Sequence, residues 1–284
     1  MISDVTIAIF VHNALDYLKT TLYSLEKNTS APYRLLLIDD ASDAATKAHL
    51  RNLKRATLIT NHRQMGFPHN ANLAIEHSDT SGLVLLNSDV YVTPGWLSML
   101  LAGLNDKPVH GIAGPSTCWA KGEQHIIHRP SWTNEQIENF GALTLRRYGD
   151  QIKYLERWGV CGFCYAFKRE LVEKIGYFDE AYGLGQWEET DYNTRAALAG
   201  YKGVWVCGTY VHHYGGKSFP ASTASALLQR NRKIYQDKFR SLPLNNTRDE
   251  RRNHCVAAEN SHFKQPADLT KVFRQTPEYT IKYL

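Results

Sequence analysis

The residues best suited to chemistry lie in short polar clusters at the ends of apolar runs. Gly82-Leu83-Val84-Leu85-Leu86 passes directly into Asn87-Ser88-Asp89, which sets a carboxylate at the mouth of a strand covered on both faces. Ligands of open α/β sheets bind beyond the carboxyl ends of the strands. A carboxylate there offers the hard oxygen donors that Mg2+ or Mn2+ and their phosphate ligands require; taken alone, Asp89 also reads as the start of the turn into Thr93-Pro94-Gly95. Two further clusters repeat the device. The run Thr6 to Val11 ends in His12-Asn13, and Arg34-Leu35-Leu36-Leu37-Ile38 ends in Asp39-Asp40-Ala41-Ser42-Asp43. Three strands thus deliver polar groups to one edge.

Two clusters lie further along. Glu188-Glu189-Thr190-Asp191 opens a helix running to Gly200, and the macrodipole keeps carboxylates in a first turn ionised. Asp191 and Arg195, four apart, form a structural helix pair. In His212-His213-Tyr214-Gly215-Gly216-Lys217-Ser218 the glycines allow either a plain structural turn or one that brings backbone N–H groups, Lys217 and Ser218 to phosphate oxygens. Adjacent strand residues face opposite ways, so only one histidine of the pair reaches such a site. Cys161-Gly162-Phe163-Cys164 has redox or zinc spacing, but it lies in an apolar strand and has no second such pair, so it reads as core.

The elements that position these clusters alternate. Strands are expected near 33–39, 56–60, 82–87 and 110–113, with helices near 43–53, 68–77 and 96–104, after a first strand and a helix carrying Leu15, Leu18, Leu22 and Leu25. This rhythm predicts a mostly parallel sheet covered by helices. Residues 115–157 interrupt it and read as a loop-rich insert with Trp119, Trp132, Arg146 and Arg147, and Trp158 just beyond it. Such aromatics either stack on sugar rings or form a small hydrophobic cluster under a long loop. A strand over 159–167, a helix over 169–175, short strands near 204–206 and 210–213 and a helix over 221–239 follow. Residues 241–284 show no core periodicity and read as a tail, linker or interface segment.

The 284 residues suit one domain with appendages. No run is long and apolar enough for a membrane helix, and the N-terminus lacks the layout of a secretory signal, so a cytoplasmic location is expected. Five cysteines, an odd number, agree with reduced thiols. A net charge of +5 fits a phosphate-bearing ligand or an anionic membrane face without requiring nucleic acid. Arg230, Arg232, Lys233, Lys238, Arg240, Arg248, Arg251 and Arg252 gather late in the chain, where they either meet lipid headgroups at the inner membrane face or form a solvated helix face and charged loop.

In their order along residues 3–240, these motifs resemble those of the family 2 glycosyltransferases, as in rhamnosyltransferase-like enzymes of bacterial glycan assembly: His12-Asn13; Asp39-Asp40-Ala41-Ser42; Asn61 through Gly66 to Asn72; Asn87-Ser88-Asp89; Pro94-Gly95-Trp96-Leu97; Trp187-Glu188-Glu189-Thr190-Asp191; and His212 to Ser218. The resemblance implies an α/β GT-A fold, with a mostly parallel central sheet flanked by helices and a C-terminal helical extension. The transferase domain would span 1–240, with 115–157 as its acceptor-side insert and 241–284 as a tail. It further implies inverting, metal-dependent transfer from a UDP- or dTDP-sugar to a hydroxyl of a glycan or lipid-linked acceptor.

Carried over residue by residue, the resemblance makes Asp89 and His213 the ligands of Mn2+ or Mg2+, with His212 the competing histidine. His12, Asp39, Asp40, Asn72, Asn87, Ser88, Lys217 and Ser218 would hold the nucleotide-sugar, Asp40 being favoured for the base. Glu189 would be the general base beside Glu188, and Trp132, Trp158 and Trp187 would line the acceptor side. Asn87 stands where the family has the first acid of Asp-x-Asp, and Glu188-Glu189 where it has Glu-Asp. A sugar nucleotidyltransferase would need a Gly-rich basic loop after the first strand, and Phe10-Val11-His12-Asn13 is not one. A GT-A module that binds glycan or a partner protein without turnover is the non-enzymatic alternative.

Overall fold

The computed structural model describes residues 1–129, 131–155, 159–215, 221–242 and 279–284. Strands β1 (Val5–Val11), β2 (Arg34–Asp39), β3 (Thr57–Asn61) and β4 (Gly82–Asn87) alternate with helices α1 (Leu15–Asn28), α2 (Ala44–Arg51) and α3 (Phe67–Glu76). The four strands pair in parallel in the order β3-β2-β1-β4. Their alternation fixes both faces of the sheet. Val5, Ile7, Ile9, Val11, Val84 and Leu86 pack with Leu18 and Leu25 of α1 in one core, while Ala8, Leu83 and Leu85 pack with Ala71, Leu73 and Ile75 of α3 in the other.

Beyond β4 come β5 (Val90–Val92), α4 (Trp96–Asp106), β6 (His110–Ser116), α5 (Asn134–Tyr148), β7 (Ile152–Tyr154), β8 (Cys164–Lys168), α6 (Arg169–Ile175), α7 (Glu188–Leu198), β9 (Lys202–His213), α8 (Ala221–Lys238) and β10 (Tyr279–Tyr283). They complete a sheet in the order β10-β3-β2-β1-β4-β8-β6-β9-β5, with β7 also paired to β9. The sheet is therefore mixed: β8 runs antiparallel between β4 and β6, and β5, β7 and β10 are antiparallel additions.

Three segments differ from expectation. The insert holds a full helix, α5, opened by a capping box in which Thr133 accepts from the Gln136 N–H and the Gln136 side chain accepts from the Thr133 N–H. The strands expected at 204–206 and 210–213 are one strand, β9, which bends between neighbours: its register against β6 shifts between Pro115 and Ser116. The segment read as a tail ends in β10, which pairs with β3 at the edge of the sheet. Asp191 and Arg195 form the expected i,i+4 pair at 2.6 Å, with both side chains fully buried.

Candidate active site

The turns after β1 and β2 are laced together. Val11 lies opposite Asp39 in the parallel register, and the Asp40 N–H donates to the Val11 carbonyl. Asn13, Ala14 and Ala41 adopt left-handed φ values of 59°, 54° and 58°, conformations that need fixed surroundings. These come from mutual contacts: the Asn13 N–H donates to Ser42 Oγ at 3.0 Å and the Asp43 N–H donates to Asn13 Oδ1 at 2.8 Å. His12 Nδ1 meets the Asp40 carbonyl at 2.7 Å and Nε2 meets Asn13 Nδ2 at 3.2 Å. His12 is thus a turn histidine bonded through both ring nitrogens.

The two acids of this turn do different work. Asp40 Oδ1 accepts from Asn61 Nδ2 and the Met65 N–H, and Oδ2 accepts from the Gly66 N–H, all within 2.9 Å. It therefore anchors the β3–α3 loop and has little acceptor capacity left. Asp39 accepts through Oδ1 from the Ser42 N–H at 2.8 Å. Gly66, at φ +88°, lies so close to the Leu184 backbone that a Cβ would stand 2.3 Å from its Cα. Only glycine lets the anchored loop meet the turn that leads to α7.

At the end of β4, Asn87, Asp89 and His213 converge. Val90 of β5 pairs opposite His213 of β9, and the Tyr214 N–H donates to the Asp89 carbonyl at 3.0 Å, so backbone pairing sets the two side chains together. His213 Nε2 lies 3.3 Å from Asp89 Oδ1 and 3.3 Å from Asn87 Nδ2. The other ring nitrogen, Nδ1, donates to the Trp119 carbonyl at 2.8 Å, and the ring stacks on Phe163 at 5.2 Å. Burial opposes the imidazolium, but the Asp89 carboxylate and the Trp119 carbonyl outweigh it and raise the His213 pKa above its ordinary value.

A divalent cation fits this donor set. An imidazole with its far nitrogen fixed on a carbonyl, beside a carboxylate, is the arrangement that orients a metal ligand, and a mixed nitrogen–oxygen set suits Mn2+ better than Mg2+. Among the described residues no group of three or more His, Cys, Asp or Glu side chains forms a metal cluster. His212 is excluded from the set: it is fully buried on the other face of β9, against Cys118 Sγ at 3.3 Å and Tyr210 OH at 3.0 Å.

Glu188 and Glu189 begin α7, directly after two left-handed residues, Gln186 and Trp187. Glu189 Oε2 is buried and meets no hydrogen-bond donor among the described residues. A Cβ on Gly162 would lie 3.9 Å from Glu189 Cβ, while the next residue, Phe163, carries the His213 stack and accepts from the Asn87 N–H. The Gly162-Phe163 segment thus runs between the start of α7 and the ends of β4 and β9, while the Trp119 carbonyl fixes the His213 ring. Trp119 works through its carbonyl, which no residue pattern reveals; Phe163 was hidden in a run that read as plain core.

Other expected positions lie elsewhere. Asn72 is fully buried and clamps the segment after α6, donating to the Phe178 carbonyl and Glu180 Oε1 and accepting from the Phe178 N–H. Its amide is bonded to the fold at both its oxygen and its nitrogen. Ser88 offers its carbonyl to Thr21 Oγ1 at 2.9 Å. Trp187 is buried, with its ring 5.0 Å from that of Tyr235 and Nε1 donating to the Leu228 carbonyl; it anchors α8 and presents no face to an acceptor. Trp132 is partly buried against Phe140 and His212. Trp158, Lys217 and Ser218 lie outside the described residues.

Nucleotide-sugar transferases of the GT-A class have this architecture, and the comparisons agree. One solved structure is the mannosyltransferase PcManGT from Pyrobaculum calidifontis in complex with GDP-Man and Mn2+, at TM-score 0.59 and 17% identity over 90% of this chain and 68% of that one. GalNAc-T7 with UDP, GalNAc and Mn2+ superposes at TM-score 0.62 and 17% identity over 84% of this chain and 50% of that one, so the chain spans about half its length. S. aureus TarS 1-349 with UDP-GlcNAc matches at TM-score 0.58 and 12% identity over 90% of this chain and 71% of that one. No curated protein matches the chain by sequence. Residues 6–176 match "Glycosyl transferase family 2", and the chain belongs to that family.

Proposed function

We propose that this family 2 glycosyltransferase is an inverting, metal-dependent enzyme that moves a sugar from a UDP- or dTDP-sugar to a hydroxyl of a glycan or lipid-linked acceptor. The observation that carries this reading is the convergence of Asn87, Asp89 and His213 at the carboxyl edge of the sheet. Asp89 and His213 would hold Mn2+, and the metal when bound supplies Lewis acidity toward the diphosphate. Asp39 falls to the nucleotide base or ribose, because Asp40 is spent on the β3–α3 loop.

Glu189 takes the acceptor proton as the new oxygen–carbon bond forms, and the electron pair of the breaking sugar–phosphate bond leaves with the diphosphate. Its buried, unpartnered Oε2 supports this role, with Glu188 orienting the acceptor. Exposed Arg232 and Lys233 on α8 supply positive charge for a phosphate-bearing lipid at an inner membrane face; Arg248, Arg251 and Arg252 lie outside the described residues.

The test is thermal shift with UDP, dTDP and GDP, with and without Mn2+, together with hydrolysis of UDP-GlcNAc, UDP-glucose and GDP-mannose. A ligand that binds only the native state raises Tm. Asp89→Ala should abolish the Mn2+-dependent shift and most hydrolysis while leaving the unliganded Tm near wild type. Full activity in EDTA, or an unchanged Mn2+ response in the variant, refutes the metal reading, and an equal response to GDP and UDP refutes the pyrimidine preference.

A further inference from the structure

Glu188 and Glu189 follow a turn that the chain does not favour. Gln186 (φ 74°) and Trp187 (φ 78°) are both left-handed, and neither is glycine. Trp187 occupies the N-cap position of α7 without a side-chain cap. Residues held in such conformations persist only where the surroundings over-determine them, and here α8 supplies a large part of that restraint. From α8, Asn231, which is fully buried, donates through Nδ2 to the carbonyls of Tyr182 (2.7 Å), Gly185 (2.7 Å) and Gln186 (3.0 Å). Leu228 accepts from Trp187 Nε1 at 3.1 Å, and Tyr235 packs against the Trp187 ring and meets Thr194 Oγ1 at 2.6 Å. Lys238 bridges Asp179 and Asp191 at 2.7 and 2.6 Å.

These contacts share a target. Asn231 binds the carbonyls on both sides of the tight Gly183-Leu184-Gly185 loop and the first left-handed residue itself. Leu228 and Tyr235 hold the second left-handed residue, and Lys238 holds the body of α7. The same loop meets the Asp40-anchored loop, since the Phe67 N–H donates to the Leu184 carbonyl.

We infer that Asn231 is a positioning residue for the general base: its amide locks the left-handed turn at Gln186-Trp187 and thereby aims Glu189. This rests on the assignment of Glu189 as base, and α8 then contributes to catalysis through the turn that it holds. Nothing in the α8 sequence marks it, because an asparagine within a polar helix reads as surface.

The experiment compares wild type, Asn231→Ala, Glu189→Gln and the double variant, with Trp187→Phe, which loses the bond to Leu228 and part of the packing on Tyr235, as a companion. Hydrogen exchange comes first. Asn231→Ala should speed amide exchange in 185–191 by about tenfold or more, an opening difference read directly from rates, with β1 and β4 unchanged and the Mn2+-dependent thermal shift with UDP kept. Unchanged protection in 185–191 for both Asn231→Ala and Trp187→Phe overturns the inference. If Asn231→Ala fails to fold, Trp187→Phe carries the same comparison.

Hydrolysis of UDP-GlcNAc, UDP-glucose and GDP-mannose then gives the cycle. Asn231→Ala should lower kcat about 10-fold or more at unchanged KM, and should cost nothing further in the Glu189→Gln background, because coupled residues are non-additive. Additive losses overturn positioning through Glu189. Faster exchange with full activity in Glu189→Gln would leave the clamp standing while removing the base assignment on which its catalytic meaning depends.

Discussion

The turns after β1 and β2 are fixed to each other by short polar contacts between neighbouring strand ends, whereas the turn before α7 is fixed by a helix 41 to 49 residues further along the chain. On the proposed nucleotide side the restraints are side-chain oxygens and amides answering backbone groups of the turns, each modest in energy. On the proposed base side they include an ionic cluster of fully buried Asp191 and Arg195 with partly buried Lys238 and Asp179, capped by Tyr182 OH on Asp191 Oδ2. Local restraint tolerates loss of one partner; a buried cluster does not, because an ion left unpaired in the interior carries its full desolvation cost. The two walls of the cleft should therefore fail differently.

The sharpest separation should come from Glu189→Gln. It keeps size and hydrogen bonding but cannot take a proton, so kcat should fall about 10²–10⁴-fold with Mn2+-dependent nucleotide binding intact. Steady-state kinetics beside nucleotide titration measures this; loss of nucleotide binding in this variant would mean the walls are not functionally separate. If Glu188→Gln shows the effect and Glu189→Gln does not, the roles within the pair are exchanged.

Next in size is the stability of the base wall. Lys238→Met leaves Asp191 with Arg195 and the Tyr182 hydroxyl and should cost up to roughly 3 kcal/mol, read as a lower urea midpoint at unchanged m. Burial opposes the Asp191 carboxylate, but Arg195 and Lys238 more than compensate and hold its pKa below the ordinary value. Its contribution is therefore fully present above the unfolded pKa of about 4 and is lost as pH falls below that. Urea midpoints at pH 3 and pH 6 should differ less in Asp191→Asn than in wild type; equal slopes would show that the cluster contributes nothing to acid stability.

On the proposed nucleotide wall, Asp40→Asn removes one acceptor oxygen from a side chain that meets three N–H donors and should cost about 1–3 kcal/mol, with faster amide exchange confined to 62–66. Spread of that exchange into α7 would show that the contact at Gly66 transmits between the walls. The smallest expected effect is Thr133→Ala, which removes the cap of α5 and should cost about 1 kcal/mol. Thermal denaturation measures it, and nucleotide binding should not change.

This division also decided what could be read in advance. The ends of β1, β2 and β4 were legible because an apolar run ending in acids is a local pattern, and the parallel order of those strands follows from the alternation with α1 to α3. The same reading put Asp40 and Asn72 at the nucleotide, since residue type says nothing about which protein neighbours claim a polar side chain, here Asn61, Met65 and Gly66 for Asp40 and Phe178 and Glu180 for Asn72. The α5 helix had a readable signal in Thr133-x-x-Gln136, obscured by the aromatics around it. Asn231, Phe163 and the Trp119 carbonyl act through long-range packing and backbone groups, and neither leaves a mark in composition or spacing.

The antiparallel pairing of β10 with β3 also fixes the direction in which the molecule faces. Tyr279 lies opposite Asn61, whose amide reaches Asp40 at the cleft, and Tyr283 lies opposite Thr57 at the far end of the same strand. The Leu284 N–H donates to the Ala56 carbonyl, and its carbonyl accepts from the Arg55 N–H. Anything tethered after Leu284, whether a purification handle or a bead, departs from the side of the sheet remote from the cleft. Immobilised there, the protein would keep the proposed donor site turned outward. Cutting back to Pro277 would instead uncover the ladder groups of β3 and create a sticky open edge.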